Sequence, residues 1–238
     1  MKQQIVLDLG NTIMKLALFN NDQLQFVNRY AYDEIDKLHV ELERHDANII
    51  VSSVISDEQL DPILIKNHSF YLLKNLQLPF KNKYATPNTL GKDRIALAAA
   101  AVSEFKNKNT LVLDIGTCLT YEMVTETSEY LGGAISPGMQ MRFKSLNRFT
   151  EGLPLINSKK PVDLIGNTTE TNILSGVING MKEEMDGTIN TYKARFSKLN
   201  VVLTGGDQVF FAECLKNNFF ARPEFLLKGL NFIAELNA

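Results

Sequence analysis

The sequence predicts an α/β protein built from two related lobes that face each other across a cleft, and three observations carry that prediction. Short apolar runs bounded by polar turns alternate with stretches of helical spacing. A strand ending in Asp-x-Gly, followed by two more strands joined by a polar turn, occurs twice, with Asp8 and Asp114 about 106 positions apart. Between the copies lies Lys106-Asn107-Lys108-Asn109, polar and charged, which sets the lobes as residues 1–108 and 109–238.

In the first lobe, Ile5-Val6-Leu7-Asp8-Leu9-Gly10-Asn11-Thr12 reads as a buried strand running into a polar turn. Met14 to Phe19 is the second strand, Asn20-Asn21-Asp22 the hairpin turn, and Gln23 to Arg29 the third strand, with Leu24, Phe26 and Tyr30 on one face. Residues 32–46 carry Ile35, Leu38 and Leu42 at helical spacing. Asn48 to Ser53 is a further strand, Asp57 to Ile65 a helix and Phe70 to Leu73 a strand. Arg94 to Phe105, rich in alanine, is a helix able to approach its neighbours closely.

In the second lobe, Leu111 to Thr117, Leu119 to Val124 and Tyr130 to Ile135 repeat the three-strand unit. Thr169 to Phe196 is a long helix with Ile173, Val177, Met181, Met185 and Ile189 on one face, and Gly176 and Gly180 permit a close crossing there. Val201 to Leu203 is a strand ending in Thr204-Gly205-Gly206-Asp207, where Asp207 caps the next helix. A strand over Glu224 to Leu227 and a helix over Leu230 to Leu236 complete the prediction. Arg142, Lys144 and Arg148 read as a solvated basic face.

With 45% apolar and 22% charged residues among 238, the composition is that of an ordinary globular protein and excludes disordered and fibrous classes. Basic and acidic residues nearly cancel, 25 against 27, so no positive field favours nucleic acid or an acidic membrane. Two cysteines, Cys118 and Cys214, make neither a disulfide framework nor a zinc site, and a reducing cytoplasm is expected. No apolar run before Asp8 serves as a signal sequence, and the longest later run, Ile95 to Val102, falls far short of the roughly 20 residues of a membrane span. P-loop, G-x-G-x-x-G, G-x-S-x-G and H-E-x-x-H motifs are absent, and His39, His45 and His68 stand away from every glycine turn.

Four turns remain as candidates for chemistry. Asp8-Leu9-Gly10-Asn11-Thr12-Ile13-Met14-Lys15 can offer backbone N–H groups and a lysine to phosphate oxygens, with a carboxylate for a hydrated cation; it also reads as an ordinary polar hairpin. Asp114-Ile115-Gly116-Thr117 has the same two readings. Thr204-Gly205-Gly206-Asp207 suits an anion or a flat nucleotide, or is a plain tight turn, and Gly132-Gly133-Ala134-Ile135-Ser136-Pro137-Gly138 shares that duality. Gly91-Lys92-Asp93-Arg94 sets a carboxylate beside a guanidinium, one to accept a proton from a hydroxyl and one to bind an anion, or else caps a helix. Phosphoryl transfer needs cation-binding carboxylates, phosphate-cradling turns and a base, and the chain has candidates for all three.

The ordered set resembles the type III pantothenate kinases of the acetate and sugar kinase/Hsp70/actin superfamily. It is carried by Asp8-x-Gly-Asn-Thr-x-x-Lys15, Tyr84, Gly91-x-Asp-Arg94, Asp114-x-Gly-Thr117, Gly132-Gly-x-Ile-x-Pro-Gly138, Leu153-Pro154, Gly166-Asn-Thr-Thr169 and Thr204-Gly-Gly-Asp207. The resemblance implies two ribonuclease H-like lobes of the actin-like ATPase fold, a homodimer in the cytoplasm, and phosphorylation of pantothenate by magnesium-ATP, the first step of coenzyme A synthesis. It implies nucleotide binding by Asp8, Leu9, Gly10, Asn11, Thr12, Ile13, Met14, Lys15 and Thr117, with Asp93 as general base. It further implies pantothenate binding by Tyr84, Gly91, Lys92, Asp93, Arg94 and Thr169, and a potassium or ammonium ion held by Asp114. The chain departs from the family pattern at Lys92, Cys118 and Glu122. Two alternatives stand beside this one: a kinase-like transcription regulator without turnover, and a kinase of another small hydroxylated acceptor.

Overall fold

The computed structural model describes residues 3–10, 12–53, 63, 70–72, 76–157, 160 and 162–238, in two compact units. One unit comprises residues 1–106, 128–130 and 224–238; the other comprises 107–127 and 131–223.

The first unit is a five-stranded sheet. β1 (Gln3–Leu9), β2 (Met14–Asn20) and β3 (Gln23–Tyr30) form an antiparallel meander, and β4 (Asn48–Ser53) and β5 (Phe70–Leu72) add in parallel on the far side of β1, giving the order β3-β2-β1-β4-β5. Because side chains alternate along a strand, Ile5, Leu7 and Leu9 enter one apolar cluster with Leu16, Ile49, Val51 and the buried Leu38 and Leu42 of α1 (Ile35–Glu43). Val6 and Asp8 point to the opposite face, where α2 (Lys92–Glu104) packs against the C-terminal helix Phe225–Leu236 and that helix packs on β1 and β4. The alanine run makes the approach close: Gly229 lies so near the Ala96 carbonyl that any side chain at 229 would overlap it.

The second unit repeats the arrangement. β7 (Thr110–Ile115), β8 (Cys118–Val124) and β9 (Glu129–Pro137) replace the meander, and β10 (Asn200–Thr204) and β11 (Phe220–Ala221) add in parallel beyond β7. The order β9-β8-β7-β10-β11 matches that of the first sheet strand for strand. β6 (Lys81–Asn82) pairs with Glu129 and Tyr130, the two β9 residues that belong to the first unit.

One face of the second sheet carries α3 (Met139–Arg148), α4 (Thr169–Leu174) and α5 (Gly180–Arg195) around Met139, Phe143, Met181, Met185 and Ile189. α6 (Gln208–Ala212) follows β10, and the C-terminal helix is α7 (Phe225–Leu236). The expected strands other than Glu224 to Leu227 were found, with ends shifted by no more than about two residues. The helix expected at 57–65 and the residue Leu73 lie outside the described residues, apart from Ile63, which is buried.

Four local expectations are corrected. Glu224 to Leu227 is the start of α7 rather than a strand, since its run of Phe and Leu continues at helical spacing into the core. The long helix is interrupted: Ser175–Asn179 widens into a π turn, and nothing stands within 4 Å of a side-chain position at Gly176 or Gly180, so these glycines mark no close crossing. Asp207 occupies the N-cap of α6 without a side-chain capping bond. Helix α3 lies where the sequence reading left a turn and a solvated face. Among the described residues no helix is long and apolar enough to cross a membrane.

Candidate functional site

The two Asp-x-Gly turns are built alike. In the first unit, Asp8 stands opposite Lys15 across the β1–β2 hairpin and beside Ser52 of β4. The Lys15 ammonium reaches the Asp8 carboxylate at 3.3 Å. The turn is closed by Gly10 N–H donating to Ile13 O at 3.2 Å and by Tyr32 OH donating to Gly10 O at 2.6 Å.

Burial pushes the Asp8 carboxyl above its ordinary range; Lys15 pulls it back, and the nearby carboxylates of Asp93 and Glu224 raise it further. Those two enter the neighbourhood of Asp8 because α2 and α7 both start on its face of the sheet. Thr12 and Ile13 are exposed, whereas the Leu9 and Met14 side chains are wholly buried in the α1-side core, leaving only their backbone for a ligand. Asn11 lies outside the described residues.

Asp93 sits in the first turn of α2, half-buried, with Oδ1 accepting the Arg94 N–H at 2.8 Å. A side chain on Gly91, the N-cap, would strike that carboxylate, which gives the glycine its reason. Arg94 is not a surface group: it is 6% exposed, and its guanidinium lies 5.6 Å from the centre of the Tyr84 ring. Tyr84 is set in turn against the buried Tyr130 at 6.4 Å between ring centres. Lys92 is half-buried at the start of the helix. The first unit therefore gathers Asp8, Lys15 and Asp93, with Arg94 and Tyr84 stacked beside Asp93.

In the second unit, Asp114 pairs in register with Thr120 of β8 and Thr204 of β10, so the carboxylate is flanked by two hydroxyl-bearing residues on its own face. Thr120 is 9% exposed and its hydroxyl oxygen has no hydrogen-bond partner. A weakly hydrated cation beside Asp114 would satisfy such an oxygen, so the donor set fits one. The turn itself is Gly116 N–H to Cys118 O at 2.9 Å, with Thr117 exposed.

Two neighbouring segments close on this turn. Asp207 N–H donates to Ile115 O at 2.9 Å, and Gly205, at φ +94°, lies against Ile115 and the Asp114 carboxylate, a position only glycine fills without strain. Gly138 N–H donates to Thr117 O at 3.1 Å. Thr169 stands apart from this cluster, exposed at the start of α4, where the Thr168 hydroxyl caps the helix by accepting the Thr171 N–H at 3.1 Å. It lines a cavity of about 450 Å³ with Leu146, Leu153, Asn172 and Ile173. Tyr32 and Glu224 carried no motif that would have named them beforehand.

A family model described as type III pantothenate kinase matches residues 4–191. A type III pantothenate kinase from Christiangramia forsetii is 48% identical over 238 residues, covering 98% of both chains. One from Flavobacterium johnsoniae is 40% identical, covering 95% of each. Among solved structures, one from Campylobacter jejuni described under a Baf family of transcriptional activators superposes with a TM-score of 0.65 at 22% identity, covering 97% of each chain. A polyphosphate/ATP-glucomannokinase from an Arthrobacter strain gives 0.52 at 12%, covering 99% of each. At these identities the superpositions speak for the fold, which is that of the sugar kinases and actin-like ATPases.

Proposed function

The chain belongs to the type III pantothenate kinase family, enzymes of coenzyme A synthesis that phosphorylate pantothenate with ATP, and from that premise we propose which residues carry the reaction. The observation that weighs most is the gathering of Lys15, from β2, and Asp93, from the start of α2, around the buried Asp8 carboxylate of β1. Asp93 is the general base. Its carboxylate takes the proton of the pantothenate primary hydroxyl as that oxygen attacks the γ-phosphorus in line and ADP departs.

Lys15 and the hairpin over residues 8–15 bind the nucleotide's phosphates, and Thr117 is a further nucleotide-binding residue. Tyr84, Gly91, Lys92, Arg94 and Thr169 bind pantothenate. The cation set is Asp114 with Thr120, which suits potassium or ammonium; magnesium travels with ATP. When bound, these ions supply positive charge against the phosphate oxygens, and the chain's part is to fix where the reacting oxygens stand.

The protein acts in the cytoplasm as a homodimer. Support for an assembly comes from Phe149, Leu164 and Ile165, large apolar side chains each about four-fifths exposed on the second unit.

The test is ADP release from protein, magnesium-ATP and pantothenate, in potassium and then in sodium, with Asp93→Asn alongside. Turnover that needs potassium and collapses in the variant is expected. Turnover that survives Asp93→Asn removes Asp93 from the base role, and folded protein that is indifferent to the monovalent cation removes the Asp114 assignment.

A further inference from the structure

Arg142 is held on three sides. Its Nε donates to Pro137 O at 2.8 Å, Nη2 donates to Ser136 Oγ at 2.9 Å, and the same nitrogen makes an ion pair with Glu184 of α5. The other oxygen of Glu184 accepts the Tyr121 hydroxyl at 3.4 Å, a phenol that burial keeps protonated. The grip therefore runs from α5 through α3 to the end of β9, and it corrects the placing of Arg142 on a solvated face.

What this grip fixes is the segment on which the second Asp-x-Gly turn rests. Gly138 donates to Thr117 O at 3.1 Å, and its α-carbon lies so close to the carbonyls of Gly116 and Thr117 that no side chain fits between them. Strand pairing of β7 with β8 ends at Ile115 and Leu119; beyond it Gly116 and Thr117 are held by their own turn bond and by Gly138, next to the segment 205–207 that closes on Ile115.

We infer that Arg142 and Glu184 are positioning residues for phosphoryl transfer: they brace the Ser136-Pro137-Gly138 segment and, through Gly138, hold Gly116-Thr117 in place for the nucleotide's phosphates. The inference rests on the assignment of Thr117 to the nucleotide. A braced turn meets the phosphates already ordered, whereas a loose one must lose conformational freedom as it binds. The planar guanidinium explains why the residue is Arg, since two acceptors and a carboxylate are met at once in fixed directions, which an ammonium on a flexible stem does not reproduce. The pair's side chains are 22% and 29% exposed, so its loss costs some stability as well, and the effect at the nucleotide is read separately from the melting temperature.

Three variants test this, Arg142→Ala, Arg142→Lys and Glu184→Gln, each with separate KM values for magnesium-ATP and pantothenate, and with calorimetric titration of ADP. Arg142→Ala is expected to raise the KM for ATP and the Kd for ADP by about tenfold, leaving the KM for pantothenate within about twofold, with the protein still folded at the assay temperature. Arg142→Lys recovers part of the loss, Glu184→Gln shows a smaller change in the same direction, and combining Glu184→Gln with Arg142→Ala is no worse than Arg142→Ala alone. Unchanged ADP affinity in all three overturns the proposal, as does an equal rise in both KM values or a loss that only follows melting. Should Arg142→Ala fail to fold, the other two carry the same test. Calorimetry with ADP needs no acceptor, so it reports on the brace even if wild-type protein phosphorylates something other than pantothenate.

Discussion

Replacing Gly229 by alanine should damage catalysis from the far side of α2. A Cβ at 229 would overlap the Ala96 carbonyl oxygen and stand 2.7 Å from the Ala96 carbonyl carbon and 3.1 Å from the Ala100 nitrogen. Non-bonded carbons settle at about 3.5–4.0 Å, so α2 and α7 must part by roughly 1 Å. All three atoms belong to backbone inside helices, and no side-chain rotation relieves them.

Overpacking of this kind costs about 1–3 kcal/mol. At roughly 2–4 °C for each kcal/mol in a chain of this size, the melting temperature should drop by about 2–12 °C. The shift also reaches Asp93, which lies on α2 one turn before Ala96. A misplacement near 1 Å is worth about a hundredfold in rate, so kcat should fall by that order while ATP still binds. Thermal melting and ADP-release kinetics on the purified variant measure both. A Gly229→Ala protein that melts like wild type refutes the packing argument; one that melts lower but turns over normally refutes the coupling to Asp93.

Three further outcomes are expected. Gly187→Ala, inside α5 with open space where its side chain would go, should add about 0.5–1 kcal/mol of stability without altering turnover, as calorimetric melting would record. Asp8→Asn should abolish phosphorylation yet melt higher than wild type at pH 7. Burial raises the Asp8 carboxyl in the folded state, so its contribution to stability is present in acid and lost as pH rises through the folded pKa; the gap should close toward about pH 4, and a gap that widens in acid contradicts this. Thr168→Ala, which removes the cap of α4 beneath Thr169, should cost about 0.5–2 kcal/mol and raise the KM for pantothenate, measured by melting and steady-state kinetics.

The features legible in the sequence were those set by local chemistry. The short apolar runs Ile5 to Leu7 and Leu111 to Leu113, each ended by Asp-x-Gly, declare a strand and its turn within eight residues, which is why the repeat could be seen. Helix α3 was hidden by its polarity: Met139 and Phe143 face the core, but Gln140, Arg142, Lys144 and Ser145 around them are polar or basic and read as surface. The first turn of α7 was misread because Phe225-Leu226-Leu227 is apolar without a break, and so short a run is compatible with strand or helix.

The site depended on contacts that no local pattern encodes. That Asp93 and Glu224 bear on Asp8 follows from where α2 and α7 dock, and that Arg94 lies under Tyr84 follows from the packing of Tyr130 behind it. Motif order pointed to Asp8, Lys15, Asp93 and Asp114, whereas Tyr32 and Arg142 reach backbone carbonyls and Glu184 meets Arg142 and Tyr121 from another element, contacts that leave no residue pattern to find.

The packing of α7 on β1, β4 and α2 also bears on the order in which the protein is made. A ribosome delivers residues 1–106, then nearly the whole second unit, and only then the helix that covers the Val6 and Asp8 face of the first sheet. Until residues 224–238 emerge, that face and the alanine side of α2 are open to other nascent chains, while the second unit already has its full complement of strands and helices. Asp93 thus rides on a helix whose support arrives last, and a product interrupted after residue 223 would carry every catalytic group assigned above without the packing that holds the base in place.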